Sequence, residues 1–415
     1  MLSPPLPAPR RIVVNGRFLS QPRTGVQRYG VETLRALDRC LGQDPRWLRE
    51  AHFQLAVPLG ADVPMLEHFE IETLPWLHGH LWEQLTLANF SHGAELLNFS
   101  YSGPLFKRHQ LITLHDAGTR ADRDSYSWRY RLAHDTLVRW LSRRAERLMT
   151  VSEFSRGEIA RHLRIAPERL VVGREGGEHA VALGDTADRV RRLGLTPGGY
   201  LLAVGSRKAS KNLALIGQAL ELLPETRLPV AVAGASDIGI FQGAQPLSRC
   251  FRLLGFVADA DLYALYRHAA WFILPSLYEG FGLPAVEAMA NGCPVLAARA
   301  ASMPEVCGDA ALYFDPRDPA SLAALLRQVA GDDGLRAQMR VRATARLAVQ
   351  RWEANAQILL HGLFPPTGEV AKPATPAGPA ARSLEGAAGP AQAPSPVPAQ
   401  VPAHASAQVS FLRPS

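Results

Sequence analysis

Residues 276–298 read SLYEGFGLPAVEAMANGCPVLAA. An apolar run, WFILP, leads into this stretch, and PVLAA closes it. Three glycines, a proline and two glutamates, Glu279 and Glu287, stand between. A buried strand, a glycine-rich loop, a short helix and a second buried strand are the parts of a parallel α/β unit. In open parallel sheets, ligands bind beyond the carboxyl ends of the strands, where this loop would lie. Gly280 and Gly282 let backbone N–H groups come close to a ligand. Pro284 suits the first helical turn, where its missing N–H has no partner to lose. The spacing predicts a helix over 284–291, with Gly292 just past its end. The unpaired amides and the helix dipole at Leu283–Val286 then favour an anion such as a diphosphate. Carboxylates repel that anion unless each is aimed at hydroxyls. A diphosphate with a polyol at each end, a nucleotide sugar, meets that condition with Glu279 and Glu287 in one crevice.

Working outward, the same alternation continues on both sides. From 199 onward GYLLAVGS, PVAVAGA, RLLGFV, AWFILPS, PVLAAR and AALYFD read as strands separated by loops or helices. Before them, RRIVVNGRF, HFQLAVPL, LITLHD, RLMTVS and LVVG do the same. Two α/β domains follow, over 11–190 and 198–345. A helical segment at 346–364 returns to the first domain. Beyond it, 365–415 collapses to alanine, proline, glycine, serine and glutamine, a composition expected to be disordered.

The chain has 415 residues, a net charge of +7 and a pI of about 9.5, a balance that favours anionic partners. Four scattered cysteines lack metal-type spacing, and the proline-rich N-terminus lacks a signal-peptide core. A cytoplasmic protein is expected, with a peripheral place on the inner membrane as an option. No apolar run is long enough to span a bilayer. RYRLAHDTLVRWLSRRAERL at 129–148 reads as an arginine-rich helix suited equally to solvent or to an anionic membrane face.

The pattern P-S-x-Y-E-G-F-G-L-P-x-x-E-A-M-A-x-G-x-P-V, continuing into PEVCGDAALYFDPRDPASLA, resembles the signature of glycosyltransferase family 4. The resemblance covers about 11–363. It implies a GT-B fold, two Rossmann-like domains facing across a cleft, and a retaining transfer from a nucleotide diphosphate sugar. It also implies site roles. Glu287 binds ribose hydroxyls, Glu279 those of the donor sugar, and the backbone amides of Phe281, Gly282 and Leu283, with Arg207 and Lys211, hold the diphosphate. VGSRKASKNL at 204–213 is similar to the phosphate-contacting segment, with Lys211 and Asn212 matching and Ser210 in place of an arginine that Arg207 would replace. His115, in LITLHDAG, would lie beside the donor sugar, and Gly25, in TGVQRY, would come close to donor and acceptor. HGHLWEQ resembles a bacterial polysaccharide branch of the family, as TGVQRY does; His78 and His80 without a third ligand do not make a zinc site. VSEFSR and GREGGEH match segments leading into the cleft, although Gly173 stands where a proline is usual.

The expected partners are a nucleotide diphosphate sugar, a saccharide or polyprenyl-linked saccharide acceptor and an anionic membrane surface, with no nucleic acid. No cofactor or metal is expected, and the donor hexose leans toward mannose. The competing readings are a nucleotide-sugar-binding scaffold without turnover and a nucleotide-sugar epimerase on the same fold. A dinucleotide oxidoreductase is disfavoured, since no G-x-G-x-x-G follows the first strand of either domain.

Overall fold

The computed structural model describes residues 9–118, 128–206, 208–225, 228–234 and 250–365. The tail expected to be disordered lies, from 366 on, outside the described residues. Two wholly parallel sheets form the frame. The first holds seven strands, β1 (Arg10–Asn15), β2 (Ala51–Pro58), β3 (Glu70–Leu74), β4 (Glu95–Asn98), β5 (Gln110–Thr113), β6 (Arg147–Thr150) and β7 (Leu170–Val172), in the spatial order 3-2-1-4-5-6-7. The second holds β8 (Leu201–Val204), β9 (Val230–Ala233), β10 (Phe251–Gly255), β11 (Trp271–Leu274), β12 (Val295–Ala298) and β13 (Ala311–Phe314), in the order 10-9-8-11-12-13. Each order reverses beside its first strand, and loops at such a switch point form a crevice for ligands.

The central strands read as unbroken apolar runs because helices cover both faces of a parallel sheet. Trp271–Leu274 and Val295–Ala298 are buried throughout. β3 is the edge strand of its sheet and mostly open to solvent, with the sequence EIETL.

Six helices position the site: α1 (Gly25–Gln43), α2 (Trp128–Arg144), α3 (Glu153–Leu163), α4 (Asp259–His268), α5 (Leu283–Ala290) and α6 (Trp352–Leu363). The helical segment expected at 346–364 is interrupted: one helix ends at Leu347 and α6 begins at Trp352. α6 packs on α1 of the first half. Asn355 Nδ2 donates to the Tyr29 hydroxyl at 3.3 Å and to Thr33 Oγ1 at 3.1 Å, and the Arg10 guanidinium reaches the Leu363 carbonyl at 2.7 Å. One contiguous apolar core joins Val14, Leu34 and Leu97 of the first half, Phe272 and Val295 of the second, and Leu359 and Leu360 of α6. Cys40, Cys293 and Cys307 are buried in it, and burial pushes the Cys293 and Cys307 thiols up to about 12, as expected of structural thiols.

Candidate active site

The loop after β11 is built by glycine. Gly282 caps α5 at φ +91°, a left-handed conformation, and a Cβ there would sit 2.1 Å from Met303 Cε. The left-handed backbone is what calls for glycine, since the end of the flexible Met303 side chain could shift aside. α5 opens at Leu283, with Pro284 in its first turn, one residue earlier than the sequence predicts. Gly292 follows its end at φ +69°, the left-handed position expected after a helix. Three of the loop's carbonyls, those of Glu279, Gly280 and Phe281, have hydroxyl partners. Ser302 Oγ lies 3.0 Å from both the Glu279 and the Phe281 carbonyls, its one hydrogen shared between them. Ser152 and Ser155 of the first half donate to the Gly280 carbonyl at 2.6 and 3.0 Å. The amides of the first turn of α5 have no acceptor within the helix, so a helix N-terminus with its positive dipole end closes the loop.

The two glutamates differ in setting. Glu279 pairs with Lys211, whose Nζ lies 2.6 Å from Oε1, which draws the phosphate-type segment 208–212 onto the loop. The Leu277 amide donates to the Ser210 carbonyl at 2.8 Å and ties the same two pieces together. Glu287 is 6% exposed, one turn into α5, and each oxygen has one donor. Tyr266 of α4 donates its hydroxyl to Oε2 at 3.0 Å, and His179 Nε2 lies 3.1 Å from Oε1. The indole Nε1–H of Trp352 points at His179 Nδ1, 3.0 Å away. An indole only donates, so Nδ1 accepts and the ring hydrogen sits on Nε2, which donates to Glu287. The carboxylate is thereby held from three elements, each oxygen keeping acceptor capacity for a ligand.

The first half faces this loop at contact distance. A Cβ on Gly280 would lie 2.7 Å from the His115 carbonyl. The Tyr278 hydroxyl accepts from the Ala117 amide at 3.1 Å, and Glu305 accepts from the Glu153 and Phe154 amides at the N-terminus of α3. His115 is 6% exposed, edge-on to Tyr29 with ring centroids 4.8 Å apart. Its Nε2–H donates to the Phe99 carbonyl at 3.0 Å, leaving Nδ1 as an acceptor. Burial holds its pKa below the ordinary histidine value, against that hydrogen bond and Asp116. Asp116 serves its own loop: Tyr101 donates to Oδ1 at 2.9 Å and the Gly118 amide at 2.8 Å. Gly25 is the first residue of α1, exposed, with open space where a Cβ would be. Three residues on, Arg28 crosses to Asp259 of α4 at 2.5 Å.

The structure therefore brings Glu279, Gly280, Phe281, Gly282, Leu283, Glu287, Lys211 and His115 together, while Arg207 lies outside the described residues. Asn212, next to Lys211, braces the loop from the inside. It adopts φ +53°, and its Nδ2 donates to the Pro275 and Pro316 carbonyls at 3.2 and 2.8 Å, locking the loop. HGHLWEQ proves to be scaffold: Glu83 is fully buried and accepts from Arg17, Asn15 and Ser102, with His80 beside it, and no metal-type cluster of three ligands occurs among the described residues. Sequence reasoning missed His179, Tyr266, Trp352 and Glu175. Glu175 is 5% exposed in the loop after β7, and burial, then the charges of Glu287 and Glu279, hold its pKa well above the usual carboxylate range. Elsewhere on the first half, α2 and the 105–106 segment line an open apolar groove of about 550 Å³, walled by Leu105, Phe106, Trp128, Leu132, Leu137 and Trp140. No described helix is long and apolar enough to cross a membrane.

Residues 191–346 match the family model described as "Glycosyl transferases group 1". The chain is 36% identical over 220 residues to the O-antigen chain mannosyltransferase B of Escherichia coli, an alignment covering 50% of this chain and 58% of that protein. It is 24% identical over 331 residues to the O-antigen chain mannosyltransferase RfbU of Salmonella typhimurium, covering 77% of this chain and 90% of that one. The chain thus spans less than two thirds of the first of these relatives. Among solved structures, sucrose-phosphate synthase from Thermosynechococcus elongatus superposes with a TM-score of 0.65 at 16% identity, over 86% of this chain and 99% of that one. The chain accordingly has the GT-B fold of glycosyltransferases, with the group 1 glycosyl transferase pattern over its second sheet.

Proposed function

We propose that this protein is a retaining glycosyltransferase that moves a hexosyl group, mannosyl by preference, from a nucleotide diphosphate sugar to a saccharide or lipid-linked saccharide acceptor in bacterial surface polysaccharide synthesis. The observation that carries the reading is the meeting of Glu279, paired to Lys211, and Glu287, held by His179 and Tyr266, on either side of the α5 N-terminus, with His115 opposite. The mannosyl preference rests on the names of the relatives.

In this scheme the diphosphate lies on the amides of Phe281–Leu283. Glu287 accepts from ribose hydroxyls and Glu279 from the donor sugar, with Nδ1 of His115 accepting from a further sugar hydroxyl. The bond from the anomeric carbon to the phosphate oxygen lengthens first, and charge builds on the departing diphosphate. Lys211, which has donors beyond the one given to Glu279, and the helix dipole offset that charge, so no metal is needed. The acceptor oxygen enters on the face the leaving group vacates, and its proton passes to the departing phosphate oxygen. The products are the glycosylated acceptor, with its anomeric configuration kept, and the nucleotide diphosphate. The close seam between the two halves keeps water from the site.

Arg144 borders the apolar groove on α2, its guanidinium 5.7 Å from the Trp140 ring centroid and 3.3 Å from the Phe106 carbonyl. Phe106 is 78% exposed and Trp128 62%. That pairing of apolar area with positive charge suits the anionic membrane face on which a lipid-linked acceptor would be carried.

The test is a panel of nucleotide-linked hexoses with and without a saccharide acceptor. Acceptor-dependent release of nucleotide diphosphate, a retained anomeric configuration by NMR, turnover that persists in chelator and its loss in Glu279→Ala are the expected results. Wild-type turnover by a folded Glu279→Ala protein refutes the site assignment.

A further inference from the structure

The first sheet has a switch point of its own. Its order 3-2-1-4-5-6-7 reverses between β1 and β4, and the loops leaving their carboxyl ends hold a polar network that the scheme above does not use. Glu83 stands at its centre, fully buried. Ser102 Oγ donates to Oε1 at 2.7 Å and Asn15 Nδ2 at 3.0 Å. Oε2 accepts from the Arg17 guanidinium at 2.8 Å and lies 3.2 Å from His80 Nδ1. Burial alone would raise the pKa of Glu83, but the hydrogen bond from His80, then the charge of Arg17, hold it below the ordinary carboxylate value. An ionised carboxylate only accepts, so Nδ1 carries the hydrogen of the neutral His80 ring and Nε2 is left as an acceptor. Arg17 uses one amino group on Glu83 and Ser102, and its Nε–H and second amino group have no partner among the described residues. The Arg17 side chain is 17% exposed and that of His80 66%. Glu83 is scaffold, but the two groups that it orients reach solvent side by side, one a donor and the other an acceptor.

Their place in the cleft follows from the loop after β4. Its first residue, Phe99, accepts from His115 at 3.0 Å. Tyr101 donates to Asp116 at 2.9 Å, its ring centroid 5.4 Å from that of His115. Ser102 then holds Glu83 and Arg17. One short loop thus ties His115, which meets the donor loop at Gly280, to the Arg17–Glu83–His80 network. On the other side, Gln84 bonds the Gly103 carbonyl and the Leu105 amide, each at 2.9 Å, and Leu105 opens the apolar groove of α2. Charge decides what binds between. Arg17 and Glu83 cancel, so the network offers a phosphate no net attraction, and Nε2 of His80 would meet a phosphate oxygen lone pair to lone pair. Neighbouring hydroxyls of a sugar ring each donate and accept, and so satisfy both groups. We propose that Arg17 and His80 form the acceptor-sugar subsite: the guanidinium donates to one hydroxyl of a neutral terminal hexose, Nε2 of His80 accepts from the next, and the remainder of the acceptor runs toward the groove at Leu105. This deepens the glycosyltransferase reading and rests on it.

The experiment first finds a nucleotide sugar that the full chain binds, by calorimetry with GDP-, UDP-, ADP- and dTDP-linked hexoses. Octyl glycosides of mannose, glucose, galactose and N-acetylglucosamine then serve as acceptors, with release of nucleoside diphosphate reporting turnover and saturation-transfer NMR reporting binding. His80→Ala changes an exposed side chain and should raise acceptor KM about three- to tenfold. Arg17→Lys keeps a cation against Glu83 but lacks the fork that reaches both Glu83 and a hydroxyl, and should raise it about tenfold. In both, kcat should stay within about twofold and the donor Kd should hold, the split expected where acceptor binding alone is lost. An unchanged acceptor KM in a folded His80→Ala protein overturns the proposal, whatever the fate of Arg17→Lys. So does a rise in donor Kd that matches the rise in acceptor KM, which would put the network in the donor site. Competition by inorganic phosphate against the octyl glycoside, lost in Arg17→Lys, overturns the choice of a neutral sugar. A wild type that binds a nucleotide sugar but neither binds nor glycosylates any octyl hexoside overturns this inference and leaves the donor reading standing. If wild type binds no nucleotide sugar, the donor reading itself falls and takes this inference with it.

Discussion

Gly280→Ala tests whether the seam between the two halves limits the chemistry. The new methyl would lie 2.7 Å from the His115 carbonyl oxygen, 3.0 Å from Asp116 Cβ and 3.3 Å from Ser155 Oγ. Ordinary contact begins at 3.4 Å, so the worst overlap is about 0.7 Å against a backbone atom that no rotamer change can move. All three neighbours belong to the first half and Gly280 to the second, so relief comes by moving the halves apart. That motion stretches the bonds from Ser152 and Ser155 to the Gly280 carbonyl and from Ala117 to Tyr278. Overpacking of this kind costs about 1–3 kcal/mol. Because the strain exists only in the closed arrangement, the closed population, and turnover with it, should fall about 5- to 150-fold. Nucleotide binding contacts confined to the second half should survive better than turnover. Gly157→Ala, on α3 with open space around it, is the control and should behave as wild type. The assay is acceptor-dependent release of nucleotide diphosphate, with small-angle scattering to report compactness. A Gly280→Ala protein with wild-type turnover and compactness would refute the reasoning.

Trp352→Phe removes the indole donor that fixes the His179 tautomer. Donor affinity should weaken about two- to tenfold through Glu287, with KM rising more than kcat falls, and loss of kcat alone would count against the relay. His115 is held neutral by burial, so its folded pKa is depressed. Below about 6.5 the unfolded chain takes up a proton that the folded one refuses, so its contribution to stability is complete above that pH and declines as pH falls. Denaturant unfolding from pH 7 to 4 should show wild type losing up to about 1.4 kcal/mol per pH unit relative to His115→Gln; parallel curves would contradict this. Phe106→Ser with Trp128→Ser should release the protein from vesicles containing anionic phospholipid while leaving nucleotide-sugar binding intact, measured by co-sedimentation and calorimetry.

Most strands were legible because a strand buried on both faces must be apolar along its whole length, as in WFIL and VLAA. The strands EIETL and ELLN escaped notice. The first is an exposed edge with mixed polarity, and the second is four residues long behind a polar turn. Within the site, Glu279 and Glu287 stood out because glycine and proline fix the loop and helix start around them. The supports of Glu287 did not. His179 lies 108 residues from it in sequence, Tyr266 lies 21, and Trp352 joins through His179, so only the fold brings them together. Glu175 was in view within GREGGEH, but a sequence does not say that an acid is buried. Asn212 matched a motif position, yet its left-handed backbone and two carbonyl bonds make it a brace.

The docking of α6 onto α1 bears on how the chain matures. The second sheet has all its strands between 201 and 314, and so is complete soon after that point is synthesised. The first sheet emerges earlier but must wait: Tyr29 and Thr33 on α1 meet Asn355, and Arg10 meets the Leu363 carbonyl, only when residues 352–363 arrive. Order of emergence from the ribosome and order of completion are therefore reversed, and the early half spends that interval with an apolar helix face uncovered, the kind of surface that makes incomplete chains prone to aggregate.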